Sequence, residues 1–252
     1  MVNNRLRLAS RRDVEHRLEL LTSFYKEQYG EVFFIGEKAY DPRDLILTQD
    51  YLESDKLAVV LKAVLWEGYS VPIIVVSGKN GGRYVIDGHH RVLVYAWLRR
   101  KILGYTLLIP RYKPRVAKTL LEVNTVNPLN TPVELFCWRH IVNTIRFLEK
   151  HHETLAEVWL ETLPVKLLKP TEPPIHCSPK PHELSLKCPI LIYKFNEEYY
   201  VVDGHHRVCT KLLANEEEIP AIVFTLSNKE IGIVKTARAM GYAEFNKKYC
   251  EG

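Results

Sequence analysis

One string of residues occurs twice in this chain with the same flanks. It reads Tyr84-Val85-Ile86-Asp87-Gly88-His89-His90-Arg91-Val92 and again Tyr200-Val201-Val202-Asp203-Gly204-His205-His206-Arg207-Val208. The copies lie 116 residues apart, from 203 minus 87. A shared polar pentad inside matching apolar flanks implies a duplication, so the chain must form the same local structure twice.

That local structure is legible from residue types. The apolar run before Asp87 is β-branched and aromatic, which fits a short buried strand. Asp-Gly breaks the strand, and Gly88 can take backbone angles that a side chain forbids. Val92 to Leu98, followed by Arg99, Arg100 and Lys101, then reads as a helix with basic residues in its last turn. The second copy repeats the order as Tyr199–Val202, Asp203-Gly204 and Arg207–Ala214.

Both histidines and the arginine therefore stand at a helix start, where unpaired N–H groups and the helix dipole favour an anion. Arg91 and Arg207 add a planar fork for phosphate oxygens; His89, His90, His205 and His206 add donors whose charge varies near neutral pH. Asp87 and Asp203 supply a carboxylate, either for a hydrated Mg²⁺ or to take a proton from a hydroxyl. The set describes a phosphate site: Gly88, His89, His90, Arg91, Gly204, His205, His206 and Arg207 for binding, Asp87 and Asp203 for metal or proton. The bland alternative is a capped helix with a surface histidine pair and a salt-bridged arginine.

Both motifs resemble the ParB/sulfiredoxin superfamily, in the Asp-Gly-His-His-Arg branch that includes archaeal free serine kinases. The first copy matches the pattern from about Asp44 to Pro110, through Leu45-Ile46-Leu47, a helical Ser54–Trp66 and the apolar Val71–Val76. The second runs from about Val165 to Leu226, through Val165–Pro170, Pro189–Ile192 and Ile219–Val223. The resemblance implies an α/β (α+β) chain with two such domains in tandem, each a small mixed sheet with flanking helices, joined by a helical segment. The expected division is 1–110, a connector 111–163, and 164–252. In the resembling kinases an acidic residue after the first strand helps activate the acceptor hydroxyl. Glu172 of Thr171-Glu172-Pro173 is the closer match; the first copy offers Thr48-Gln49-Asp50, where Gln49 cannot act as a base and Asp50 is the substitute. The second copy departs in another way, because Pro170, Pro173, Pro174, Pro179 and Pro181 stand where the first has a helix. Sulfiredoxin chemistry is excluded, since His89 and His205 occupy the place of its cysteine.

Elsewhere the chain is less specific. At 252 residues with 46% hydrophobic and 26% charged, it reads as a soluble protein of one or two domains. No apolar run approaches the roughly 20 residues that span a bilayer, and Met1–Arg7 lacks a signal core, so the expected compartment is the cytoplasm. A net charge of +5 permits nucleic acid but does not require it. Only Gln28 and Gln49 are glutamines, which leans towards a thermophile. The cysteines at 137, 177, 188, 209 and 250 show no CxxC spacing, so free thiols are expected; His176, Cys177, His182 and Cys188 fit no compact metal set. Val14, Leu18, Leu21 and Tyr25 form one face of a helix ended by Gly30. Arg111-Tyr112-Lys113-Pro114-Arg115 opens a basic loop, 111–118, with an aromatic that could meet nucleic acid. Residues 132–162 read as helices Val133–Lys150 and Thr154–Thr162, with Phe136, Ile141, Ile145 and Leu148 inward and Trp138 off the stripe. No helix-turn-helix is visible, which argues against a centromere-binding ParB. A closing helix is expected within Asn228–Tyr242.

The leading expectation is an ATP- or ADP-dependent phosphotransferase acting on a small hydroxyl metabolite such as free serine, with Mg²⁺. CTP is the other nucleotide the resemblance allows. The alternatives are a metal-dependent nuclease or DNA-binding protein using loop 111–118, and a nucleotide-gated switch without turnover. No membrane partner is expected, and the oligomeric state is open.

Overall fold

The computed structural model describes residues 6–79, 81–177 and 188–251. The chain is mixed α/β and divides into two compact units, Met1–Asn143 and Thr144–Gly252. Each is built on its own five-stranded sheet. The expected α+β architecture is observed, with one five-stranded mixed sheet in each unit and a further two-stranded sheet in the first.

In the first unit, helix α1 (Arg11–Tyr29) begins at a capping box in which Ser10 and Asp13 bond each other's backbone N–H, and Gly30 closes it at φ 79°. Then come β1 (Phe33–Tyr40), β2 (Ile46–Leu47), β3 (Tyr51–Glu53), α2 (Ser54–Trp66), β4 (Ile73–Ser77), β5 (Arg83–Asp87), α3 (His89–Trp97), β6 (Ile102–Leu108) and β7 (Asn124–Val126). The sheet order is β1-β6-β4-β5-β2. Central β4 is buried along Ile73–Val76, as a strand covered on both faces must be. Val14 and Tyr25 of α1 pack on one face, against Ile74, Tyr105, Val76, Leu107 and Ile109, with Leu18 and Leu21 beside them. The apolar stripe expected for α1 is the one buried. α3 is buried from Val92 to Trp97 and packs against α2.

Helix α4 (Phe136–His152) carries the division between the units at 143 and 144. Two expectations fail here. Trp138 is buried, edge-on to Trp66, whereas Phe136 is exposed. Residues 157–164 are not helical: Glu157–Pro164 is strand β8, fully paired antiparallel to a later strand. Glu157, Leu160, Glu161 and Leu163 favour a helix locally, but Val158, Trp159 and Thr162 suit a strand and the eight-residue ladder decides.

The second unit continues with β9 (Leu168–Lys169), β10 (Ile190–Phe195), β11 (Glu198–Asp203), α5 (His205–Leu213), β12 (Glu218–Thr225), α6 (Gly232–Ala239) and α7 (Lys247–Glu251). Its sheet order is β8-β12-β10-β11-β9. Strand for strand this is the first sheet again, with the same parallel and antiparallel senses, and with a register shift at Leu191/Ile192 matching that at Ile74/Val75. The duplication thus extends over a whole sheet, far beyond the motif. Pro179, Pro181 and His182 lie outside the described residues.

The expectation of free thiols fails for Cys209 and Cys250, which form a disulfide between α5 and α7. They are 41 residues apart in sequence, so only the fold brings them together. Cys177 is a buried free thiol in the same apolar core. Among the described residues no helix is long and apolar enough to cross a membrane.

Candidate functional site

Each motif is a strand end, a left-handed glycine and a helix start. Gly88 has φ 95° and Gly204 has φ 107°. A Cβ at Gly88 would stand 2.5 Å from the Ile73 methyl and 2.8 Å from an Arg91 guanidinium nitrogen; at Gly204 the same neighbours, Ile190 and Arg207, lie at 2.6 and 3.0 Å. The glycine is fixed twice over, by its backbone angle and by the arginine folded across it.

That arginine does not reach outward. Arg91 donates to Asp87 Oδ2 (2.6 Å), to Pro72 O (2.6 Å) and to Val71 O (3.2 Å), and its side chain is 6% exposed. Arg207 likewise donates to Asp203 Oδ2 (2.5 Å), Cys188 O and Pro189 O. In both copies the fork ties the turn to the chain entering the central strand. The reading of Arg91 and Arg207 as phosphate forks does not match this geometry, because both Nη atoms are used within the protein.

The first histidine of each pair faces a threonine. Thr48 Oγ1 donates its hydrogen to Val85 O (2.6 Å), so His89 Nε2–H is the donor in its 3.1 Å contact with Thr48 Oγ1. In the second copy Thr171 Oγ1 donates to Val201 O, and the Thr171 N–H donates to His205 Nε2 (3.0 Å). That leaves His205 Nδ1–H to face Glu172 Oε2 at 3.5 Å. The two histidines thus hold opposite tautomers on one scaffold. Burial pushes His89 and His205 down to about 4. His90 accepts from the Glu53 N–H (3.0 Å); burial and then the Lys56 charge push it down to about 3. These histidines are neutral at pH 7. His206 Nδ1 lies 3.5 Å from the Cys177 sulfur, whose thiol is raised by burial.

Around the first motif a cavity of 520 Å³ opens over the start of α3. Asp87, Gly88, His89, His90 and Arg91 line it, with Gln49, Tyr69 and three cationic side chains: Arg7, Arg17 and Lys56. Arg7, Arg17 and Lys56 are 66%, 53% and 37% exposed, so each can turn towards a ligand. Arg17 pairs with Asp87 Oδ1, so both Asp87 oxygens carry an arginine. Asp203 has Arg207 alone as cation partner among the described residues, and is 33% exposed against 11% for Asp87.

The structure gathers Asp87 to Arg91 at one site, and Asp203 to Arg207 with Glu172 at another. Asp50 is exposed and does not line the cavity. Gln49 does, in the place that Glu172 takes beside the second motif. Tyr112 of the basic loop packs among Tyr25, Tyr29 and Tyr84, while Arg111, Lys113 and Arg115 are exposed. Among the described residues no cluster of His, Cys, Asp or Glu is arranged for a metal ion.

Sequence reasoning missed Arg7, Arg17 and Lys56. Only Arg17 left a signal: it falls at i+3 from Val14, inside the stripe Val14, Leu18, Leu21, where a charge is out of place.

No protein-family model matches the chain, no curated protein matches it, and no solved structure matches it.

Proposed function

We propose that this chain is a nucleotide-dependent phosphotransferase of the ParB/sulfiredoxin-like type, and that its first unit holds the nucleotide's phosphates. The observation that supports this is the cavity over α3. Three cations from three segments, the N-terminal stretch, α1 and α2, converge on a helix start whose dipole has the same sign. Neutral His89 and His90 add a hydrogen-bonding wall without charge. The cations and the helix start would neutralise the β- and γ-phosphates, the main task in phosphoryl transfer.

The residues fit Mg²⁺ unequally. Asp87 lies between two guanidinium groups and does not present a free carboxylate, so no step is routed through a metal there. Asp203 presents Oδ1 and would hold a hydrated Mg²⁺, whose chemistry is charge neutralisation at phosphate oxygens. Glu172, half exposed beside His205, is the group able to take a proton from an acceptor hydroxyl, for transfer from a nucleotide held at the second unit's own helix start. We place the protein in the cytoplasm. The disulfide agrees with the thermophilic lean, since intracellular proteins of hyperthermophiles keep such bonds.

A second reading is a nucleotide-gated switch without turnover. Gln49 favours it, because the first copy lacks the acid that the second has. Calorimetric titration of ATP, ADP and CTP, with a DNA duplex beside them, separates the readings. Expected is saturable nucleotide binding weakened about tenfold or more by Lys56→Ala, with phosphate transfer to a hydroxyl metabolite lost in Glu172→Gln. Binding without transfer to any of a panel of hydroxyl acceptors would favour the switch. Salt-sensitive DNA binding with no nucleotide heat would refute both.

A further inference from the structure

Charge is distributed unequally around the cavity of the first unit. Arg7, Arg17, Lys56 and Arg91 line it against a single carboxylate, Asp87. Arg7 also pairs with Asp13 and Lys56 with Glu53, but neither of those acids lines the cavity. His89 and His90 are neutral and add no countercharge. A divalent cation needs the opposite set, several oxygen ligands with negative charge to spare. Asp87 instead gives Oδ2 to buried Arg91 and Oδ1 to Arg17, and His90 Nε2 already accepts the Glu53 N–H.

We propose that the first unit binds its nucleotide as the metal-free polyanion, with Arg7, Arg17 and Lys56 neutralising the phosphates in place of Mg²⁺. This rests on the phosphate reading of the cavity. Arg17 bonds Asp87 through one nitrogen, so the rest of its guanidinium fork serves phosphate oxygens without leaving the carboxylate. Arg7 and Lys56 are held only by surface ion pairs, which are worth little, so turning to a phosphate costs little. Mg²⁺ on the ligand would cancel two of its negative charges and weaken its attraction to every cation in the lining. The cavity, at 520 Å³, has the size of a small-molecule site, and Leu21, Tyr69 and Ile86, packed against the core, give it apolar lining for the base. On the same scaffold the second motif leaves Asp203 with Arg207 as its one cation partner among the described residues, so the metal-accompanied nucleotide belongs there.

The test is calorimetric titration of the full chain with ATP, in EDTA and in excess Mg²⁺ at one ionic strength, on wild type, Arg17→Met and Lys56→Met. Methionine keeps the apolar stem and removes the charge, and thermal melts check that each variant is folded. The same set in an Asp203→Asn background removes metal-accompanied nucleotide at the second motif from the count. Expected is an ATP site that each substitution weakens about tenfold, and that in wild type is at least tenfold tighter in EDTA than in Mg²⁺. The same site found equally tight or tighter in Mg²⁺ would overturn the metal-free inference and leave the phosphate reading standing. ATP binding that neither substitution weakens in either buffer would overturn the phosphate reading, and the inference with it.

Discussion

Lowering the pH from 8 to 5 should destabilise the first unit steeply, and its two buried histidines, His89 and His90, set the magnitude. His89 and His90 are neutral in the folded protein, pushed from an ordinary value near 6.5 down to about 4 and about 3. In the unfolded chain each protonates at about 6.5. Their contribution is therefore complete above pH 6.5 and is lost as the pH falls through the window from 6.5 towards the folded values. At pH 5 the unfolded form of each is about thirtyfold favoured by proton binding, which removes about 2 kcal/mol per histidine. The first unit thus loses about 4 kcal/mol between pH 8 and pH 5, a large part of the ~5–15 kcal/mol that holds a domain. Carboxylates titrate below this window, so it isolates the imidazoles. The assay is urea unfolding followed by tryptophan fluorescence, because Trp66, Trp97 and Trp138 lie in the first unit and Trp159 alone in the second. His90→Gln should flatten the slope by about one proton. A pH 5 to pH 8 difference below about 1 kcal/mol would refute the reasoning, since it would mean the imidazoles carry no desolvation penalty.

Other outcomes follow from the same geometry. Gly88→Ala and Gly204→Ala should each cost about 2–4 kcal/mol in urea unfolding, from left-handed backbone strain plus a Cβ at 2.5 or 2.6 Å from a buried isoleucine methyl. Arg207→Ala should cost about 2–3 kcal/mol, because two carbonyls and Asp203 lose their donor together, whereas Arg17→Met should change stability by less than about 1 kcal/mol. Reducing the Cys209–Cys250 bond, which closes a separation of 41 residues, should cost the second unit up to about 4 kcal/mol by chain entropy, read as a lower urea midpoint in reductant.

The sequence by itself determined the duplication, the strand–glycine–helix form of each motif, the span and buried stripe of α1, and helix α2 from Ser54 to Trp66. These follow from local steric rules and hydrophobic period, which act over a few residues and so are written in a few residues. It also aligned Thr48-Gln49 with Thr171-Glu172, and the structure sets both threonines against the equivalent histidine. Tertiary structure decided the rest. Residues 157–162, read from the sequence as part of a helix, lie in an edge strand, because their partner at 218–225 lies far along the chain. Arg91 and Arg207 turn inward because backbone carbonyls before the central strand lack donors, a need that no motif displays. Cys209 meets Cys250, and Arg17 meets Asp87, only once helices dock on their sheets. Charge and bond partners chosen over such separations depend on three-dimensional proximity, and a linear pattern of residues does not encode it.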